Sequence, residues 1–179
     1  MIQQDNSLIL IIDFQEKLLK ATVKDTAVIE NGKKLLKTAN LLNIPAIITE
    51  QYPQGLGATI EEIKSSNPQA HYFEKTSFSA FSTACIKEAI EVTCKKQIIL
   101  CGVEAHICVL QTALELKENG FDVYVIKDAC ASRKIENFDN AFSRLIQAGI
   151  TVSDTETTLF EFLKSSKHPN FKEIQALIK

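Results

Sequence analysis

The chain predicts an α/β protein, a three-layer α/β/α fold on a six-stranded parallel sheet, and three observations carry that prediction. Apolar, β-branched runs such as Leu8-Ile9-Leu10-Ile11-Ile12 and Ile98-Ile99-Leu100-Cys101 show no polar alternation, as strands buried on both faces do. The stretches between them carry apolar residues at helical spacing, for example Val28, Leu35, Leu36, Ala39 and Leu42. Strands and helices then alternate along the chain, and strands joined by helices of this length pair in parallel.

In order, residues 7–14 read as a buried strand that passes through a polar stretch from Gln15 into a helix over 26–43. Pro45 opens a second strand, 46–49, and the Gly- and Pro-bearing segment 51–57 reads as a loop. Then follow a short strand at 71–74, a helix at 84–92, a strand at 97–103 and a helix at 108–118 that Asn119-Gly120 stops. The remainder reads as a strand at 121–127, a helix at 135–148 ending at Gly149, a strand at 150–153 and a helical segment at 157–164.

At 179 residues one domain over 1–179 is expected, large enough to bury about 70% of the surface its unfolded chain exposes. A composition 45% hydrophobic with a formal charge of −2 and no basic block argues against a nucleic-acid partner. Five cysteines, an odd number without a C-x-x-C pair, together with no secretory leader pattern, predict reduced thiols and a cytoplasmic-type compartment, organelles included. No apolar run approaches the roughly 18 residues of a membrane span, so no membrane partner is expected.

The strand ends hold the chemistry. In open parallel sheets ligands gather beyond the carboxyl ends of the strands, which here are Asp13, Glu50, Lys75, Glu104 and Asp128. Cys108 follows the strand ending at Gly102-Val103 and opens the next helical pattern. At a helix N-terminus a thiol is expected to ionise more readily than a free cysteine, which makes it a candidate nucleophile. Free cysteine is also a small core hydrophobe, the reading given to Cys85, Cys94, Cys101 and Cys130. Asp13 closes an apolar strand and requires a partner, for which Lys75 is a candidate, although a strand-end aspartate also serves simply to cap a loop.

Three blocks, Leu10-Ile11-Ile12-Asp13-Phe14-Gln15, Glu74-Lys75-Thr76-Ser77-Phe78-Ser79-Ala80-Phe81 and Gly102-Val103-Glu104-Ala105-His106-Ile107-Cys108-Val109, resemble in residue type and order the signature blocks of the isochorismatase-like cysteine hydrolase superfamily. The likeness spans about 7–162 and is nearest to isochorismatase domain-containing proteins, where Thr49-Glu50-Gln51-Tyr52-Pro53 is also familiar. It implies an isochorismatase-like sheet of Rossmann-like topology, an Asp13-Lys75-Cys108 triad, a cis peptide between Val103 and Glu104, and an oxyanion hole from the backbone amides of Glu104 and Cys108. It also implies a homo-oligomer.

On that resemblance the expected activity is hydrolysis of a small amide or related carbonyl compound through a Cys108 thioester, without a cofactor. Asp13 acts as base and then acid, and Lys75 supports its charge. True isochorismatases carry glycine where Cys108 stands, so vinyl-ether cleavage does not transfer. Nicotinamidases carry an Asp-x-His-x-x-His metal motif after the second strand, whereas Thr49 to Leu56 holds no histidine, and His71, His106 and His168 have no i, i+3 or i, i+4 partner, so no metal is expected. Phe14, Tyr52, Phe78, Phe81, His106 and Ile107 are candidate pocket residues, each also readable as core or as turn support. The rivals are a nicotinamidase-type amidase and a binding protein or thiol sensor that retains the triad.

Overall fold

Six parallel strands form the sheet: β1 (Ser7–Ile12), β2 (Ala46–Gln51), β3 (His71–Lys75), β4 (Gln97–Val103), β5 (Asp122–Ala131) and β6 (Thr151–Ser153). Their order is β3-β2-β1-β4-β5-β6. The computed structural model describes residues 1–22 and 25–179; residues 23 and 24, inside the predicted polar stretch, lie outside the described residues. The helices are α1 (Glu16–Lys20), α2 (Asp25–Leu42), α3 (Pro53–Leu56), α4 (Glu61–Lys64), α5 (Ala84–Val92), α6 (Leu110–Glu118), α7 (Ile135–Gln147), α8 (Thr155–Leu163) and α9 (Phe171–Ala176).

Every residue of β1 and β4 is buried, because helices cover both faces of the two central strands. Their leucine and isoleucine side chains, with Leu35, Leu36 and Ala39 of α2 and Ala113 and Leu116 of α6, form one core. Strand order reverses between β1 and β4, so the loops leaving these two strands diverge and open a crevice at their carboxyl ends. Register pairs Ile12 with Gly102 there, and Gln51 with Lys75 across β2 and β3.

Four differences from the sequence reading bear on the site. β1 stops at Ile12, because Asp13 turns into the left-handed region at φ 55° and puts Phe14 outside the strand. The helix expected from Cys108 begins at Leu110 and is preceded by a wide π-type turn over Ala105–Val109 that carries the cysteine. β5 runs on to Ala131, past the expected end near Asp128, through a register shift opposite Leu100 and Gly102; Cys130 is therefore a strand residue. The segment expected as a loop after Gln51 winds one helical turn, α3, and α1, α4 and α9 are short amphipathic turns too brief for periodicity to reveal.

Candidate active site

Asp13 directly follows β1, Lys75 ends β3 and Cys108 lies in the turn after β4, and they meet in the crevice. Lys75 Nζ donates to Asp13 Oδ2 at 2.7 Å, and both side chains are fully buried. The other carboxylate oxygen, Oδ1, accepts from Thr49 Oγ1 at 2.7 Å, while the Asp13 amide donates to the Thr49 carbonyl at 3.1 Å. The ammonium also reaches Gln51 Oε1 at 2.6 Å and the Ser77 and Phe78 carbonyls at 3.3 Å each. A buried ion pair is tolerated when such hydrogen bonds satisfy its remaining donors and acceptors.

The Cys108 thiol lies close enough to the Asp13 carboxylate and the Lys75 ammonium to feel the charge of both. Burial pushes it up to about 12 from its ordinary value near 9; the Asp13 charge adds to the rise and Lys75 opposes it. This corrects the expectation of a readily ionised thiol. The thiol sits two residues before the α6 N-terminus and is buried, and desolvation outweighs the helix dipole, an effect of at most about 2 kcal/mol. At rest the sulfur keeps its proton beside a carboxylate able to take it.

Labelling order follows. Near neutral pH, iodoacetamide is expected to modify Cys85 and Cys94, both exposed, before the buried Cys108, Cys101 and Cys130. Peptide mass spectrometry checks this order, and faster labelling of Cys108 than of Cys85 would contradict the burial argument.

The turn bearing the cysteine closes on the Glu104 carbonyl. The Val103–Glu104 peptide is cis, and the Glu104 carbonyl accepts from the Ile107 and Val109 amides at 3.1 and 3.3 Å. The Glu104 carboxylate is engaged by Arg133: Oε2 accepts from the Arg133 backbone amide at 2.8 Å, and Oε1 meets Arg133 Nε at 3.0 Å. His106 is likewise engaged, with Nδ1 on Ser132 Oγ at 2.9 Å and Nε2 beside Asn137 Nδ2 at 3.3 Å. Ile107 is half-buried against the core.

Two of the pocket aromatics are core residues instead. Phe14 is fully buried with its ring against Gly32 of α2, where a Cβ would come within 2.9 Å of it. Phe81 is buried edge-on to Phe121, with ring centroids 5.6 Å apart. Tyr52 and Phe78 are 54% and 55% exposed and stand beside Lys75, the Tyr52 amide donating to its carbonyl and the Phe78 carbonyl accepting from its ammonium. They can form a rim. A cavity of about 210 Å³ lies there, lined by Tyr52, Pro53, Gln54, Glu74, Lys75, Thr76 and Thr83.

Several supports escaped the sequence reading. Gln15, fully buried, accepts from the Gln51 amide at 2.8 Å and donates to the Gln51 carbonyl at 3.0 Å and to the Gly57 carbonyl, which latches the loop after β1 to the end of β2. The loop after Lys75 is tied to α6 by Thr112, which accepts from the Ala80 amide at 2.9 Å, and by Glu115, which accepts from Ser79 and Ser82. A polar residue directly after the run 7–14 read as a strand was the one available signal, and it marks Gln15.

A family model for the Isochorismatase domain matches residues 7–157. Isochorismatase domain-containing protein 2 of Danio rerio is 40% identical over 172 residues, 96% of this chain and 86% of the relative. Isochorismatase family protein 1A of Dictyostelium discoideum is 36% identical over 97% of this chain and 86% of its own length. Among solved structures, the MAR1 ribonuclease of Caenorhabditis elegans superposes with a TM-score of 0.94 at 36% identity, covering 99% of this chain and 91% of that one. YcaC of Pseudomonas aeruginosa, described with hexane-2,5-diol and covalent acrylamide, gives a TM-score of 0.93 at 26% identity over 98% and 90%. YcaC of Escherichia coli, described as an octameric hydrolase of unknown specificity, gives 0.89 at 25% over 98% and 94%. The chain belongs to the isochorismatase-domain family, a hydrolase superfamily.

Proposed function

We propose that this chain is a metal-independent cysteine hydrolase of a small amide or related carbonyl compound. The observation that carries the reading is a buried cysteine beside a buried carboxylate whose charge an ammonium 2.7 Å away balances. As Cys108 Sγ bonds to the acyl carbon, its proton passes to Asp13 and the carbonyl π pair moves onto oxygen, where the Glu104 and Cys108 amides are assigned to hold it. The intermediate collapses, the C–N bond breaks, and Asp13 returns the proton to the departing amine. Water, deprotonated by Asp13, then attacks the thioester, releasing a carboxylic acid and the thiol.

Lys75 is assigned a supporting role, because its ammonium faces acceptors of this chain and does not turn toward a substrate. Tyr52 and Phe78 are assigned to the mouth of the site, and a homo-oligomer to the assembly, in keeping with the octameric description of the E. coli neighbour. Among the described residues no helix is long and apolar enough to cross a membrane. Sedimentation showing only a 19.9 kDa species would count against the oligomer.

The test is acid-quenched intact-mass spectrometry of the protein incubated with a panel of small amides, nicotinamide included, and with RNA. An acyl mass on the native chain that Cys108→Ala lacks, with free acid as product, is the expected result. No adduct and no acid across the panel would overturn it. RNA cleavage that depends on Cys108 would instead carry over the word in the C. elegans neighbour's description, against a chain of net charge −2.

A further inference from the structure

We infer that Gln51 is a positioning residue of this site, one whose side chain aims the Lys75 ammonium at Asp13. The inference takes its catalytic meaning from the hydrolase reading, but its test stands apart from turnover. Lys75 Nζ has three protons, and its two shortest contacts are Asp13 Oδ2 at 2.7 Å and Gln51 Oε1 at 2.6 Å; the Ser77 and Phe78 carbonyls at 3.3 Å are longer. The acceptor that fixes the ammonium opposite the carboxylate is therefore a neutral amide.

That amide has no freedom to turn. Gln51 Nε2 donates to the Thr76 carbonyl at 2.9 Å, so Oε1 must face Lys75. The Gln51 backbone is held in turn by the buried Gln15 side chain, on its amide at 2.8 Å and on its carbonyl at 3.0 Å. A chain Gln15, Gln51, Lys75, Asp13 thus runs from the loop after β1 across β2 and β3 and back to the carboxylate. A neutral acceptor here suits the pair, because a carboxylate in its place would compete with Asp13 for the one ammonium.

The charged groups on the neighbouring positions do not perturb this contact. Glu50 of β2 accepts from the Thr59 amide at 2.7 Å, and Glu74 of β3 accepts from Gln54 at 3.2 Å. The titratable groups that face the Gln51 amide are Lys75 and, through it, Asp13 and Cys108.

Acrylamide is the probe. The thiol adds across its double bond, sulfur bonding to the terminal carbon while the thiol proton, relayed by Asp13, ends on the carbon next to the carbonyl, so no leaving group and no turnover are needed. Gln51→Met, which keeps the bulk and deletes the acceptor, is expected to slow Cys108 addition roughly ten-fold, the scale of one hydrogen bond to a charged group, with Cys85 and Cys94 unchanged as internal controls.

Gln51→Glu restores an acceptor oxygen and is expected to recover the rate at high pH, but with the acid limb of the Cys108 profile moved upward, since two carboxylates then share one ammonium and the cluster takes up a proton earlier as pH falls. Wild-type rates in Gln51→Met, or an acid limb in Gln51→Glu that coincides with wild type, would overturn the inference. Should Gln51→Met expose Cys101 and Cys130 to label, the Gln51→Glu profile decides. Failure of the hydrolase reading leaves a different mark, a wild-type chain that adds acrylamide at Cys108 yet converts no amide.

Discussion

Replacing Lys75 with methionine is expected to remove amide turnover and to lower stability together. Both side chains of the Asp13–Lys75 pair are fully buried, so the variant leaves a carboxylate in the interior without its counter-ion. Breaking a buried pair in this way costs about 3–5 kcal/mol, where replacing both partners by apolar groups can cost little. For a chain of this length that corresponds to a melting point lower by about 6–20 °C.

The sign of the pH dependence separates this cause from simple misfit. A lone buried carboxylate is relieved when it takes up a proton, so the gap between variant and wild type should narrow as the solution is acidified. A gap that stays constant with pH would mean that lost packing, not charge, is responsible. Cys108 acylation reads the chemical half: without the ammonium the carboxylate no longer holds its charge beside the thiol, and the mass adduct should vanish at neutral pH. A Lys75→Met chain that still forms the adduct would remove Lys75 from the mechanism.

Asp13, Lys75 and Cys108 were legible as candidates because each stands at a strand end or opens a helical pattern, and parallel-sheet topology delivers such positions to one rim. What burial does to them was not. The local pattern around Cys108 shows a turn before a helix and suggests an acidic thiol; only the packing of that turn against β4, α6 and α7, beside the ends of β1 and β3, reveals that the thiol is buried and that a carboxylate adjoins the sulfur. Tertiary desolvation has no signature in the residues next to the cysteine.

The same division runs through the rest of the site. Phe14 and Phe81 sit inside signature blocks, and position in a block cannot tell a ring that faces the crevice from one that packs on Gly32 or Phe121. Gln15 and Gln51 matter through partners 36 positions apart, joined only by strand pairing. The extension of β5 to Ala131 follows a register shift that a polar Lys127-Asp128 pair masks as a strand end. Long apolar runs need no partner to be recognised, whereas polar contacts across strands do.

Gly102→Ala is expected to have the largest structural effect of any single methyl addition at a glycine of this chain. Gly102 has φ +139°, a conformation L-residues rarely adopt, and a Cβ there would stand 2.1 Å from the Ile12 carbonyl oxygen and 2.8 Å from its carbon. Those are backbone atoms of the paired strand, so no rotamer change relieves the contact. β1 must separate from β4 at the register position Ile12 to Gly102, next to Asp13 on one side and the turn carrying Cys108 on the other.

A loss of about 4 kcal/mol or more, read as a lower urea midpoint, fits the short list of mechanisms that reach that size. Gly120→Ala supplies the contrast: its φ is +82° and nothing lies within 4 Å of the added carbon, so only the left-handed backbone cost of about 1–2 kcal/mol is expected. If the two variants lose equal stability, the close approach of the two central strands is not what Gly102 serves. If Gly102→Ala folds but no longer acylates at Cys108, the same contact that seals the sheet also sets the distance between base and nucleophile.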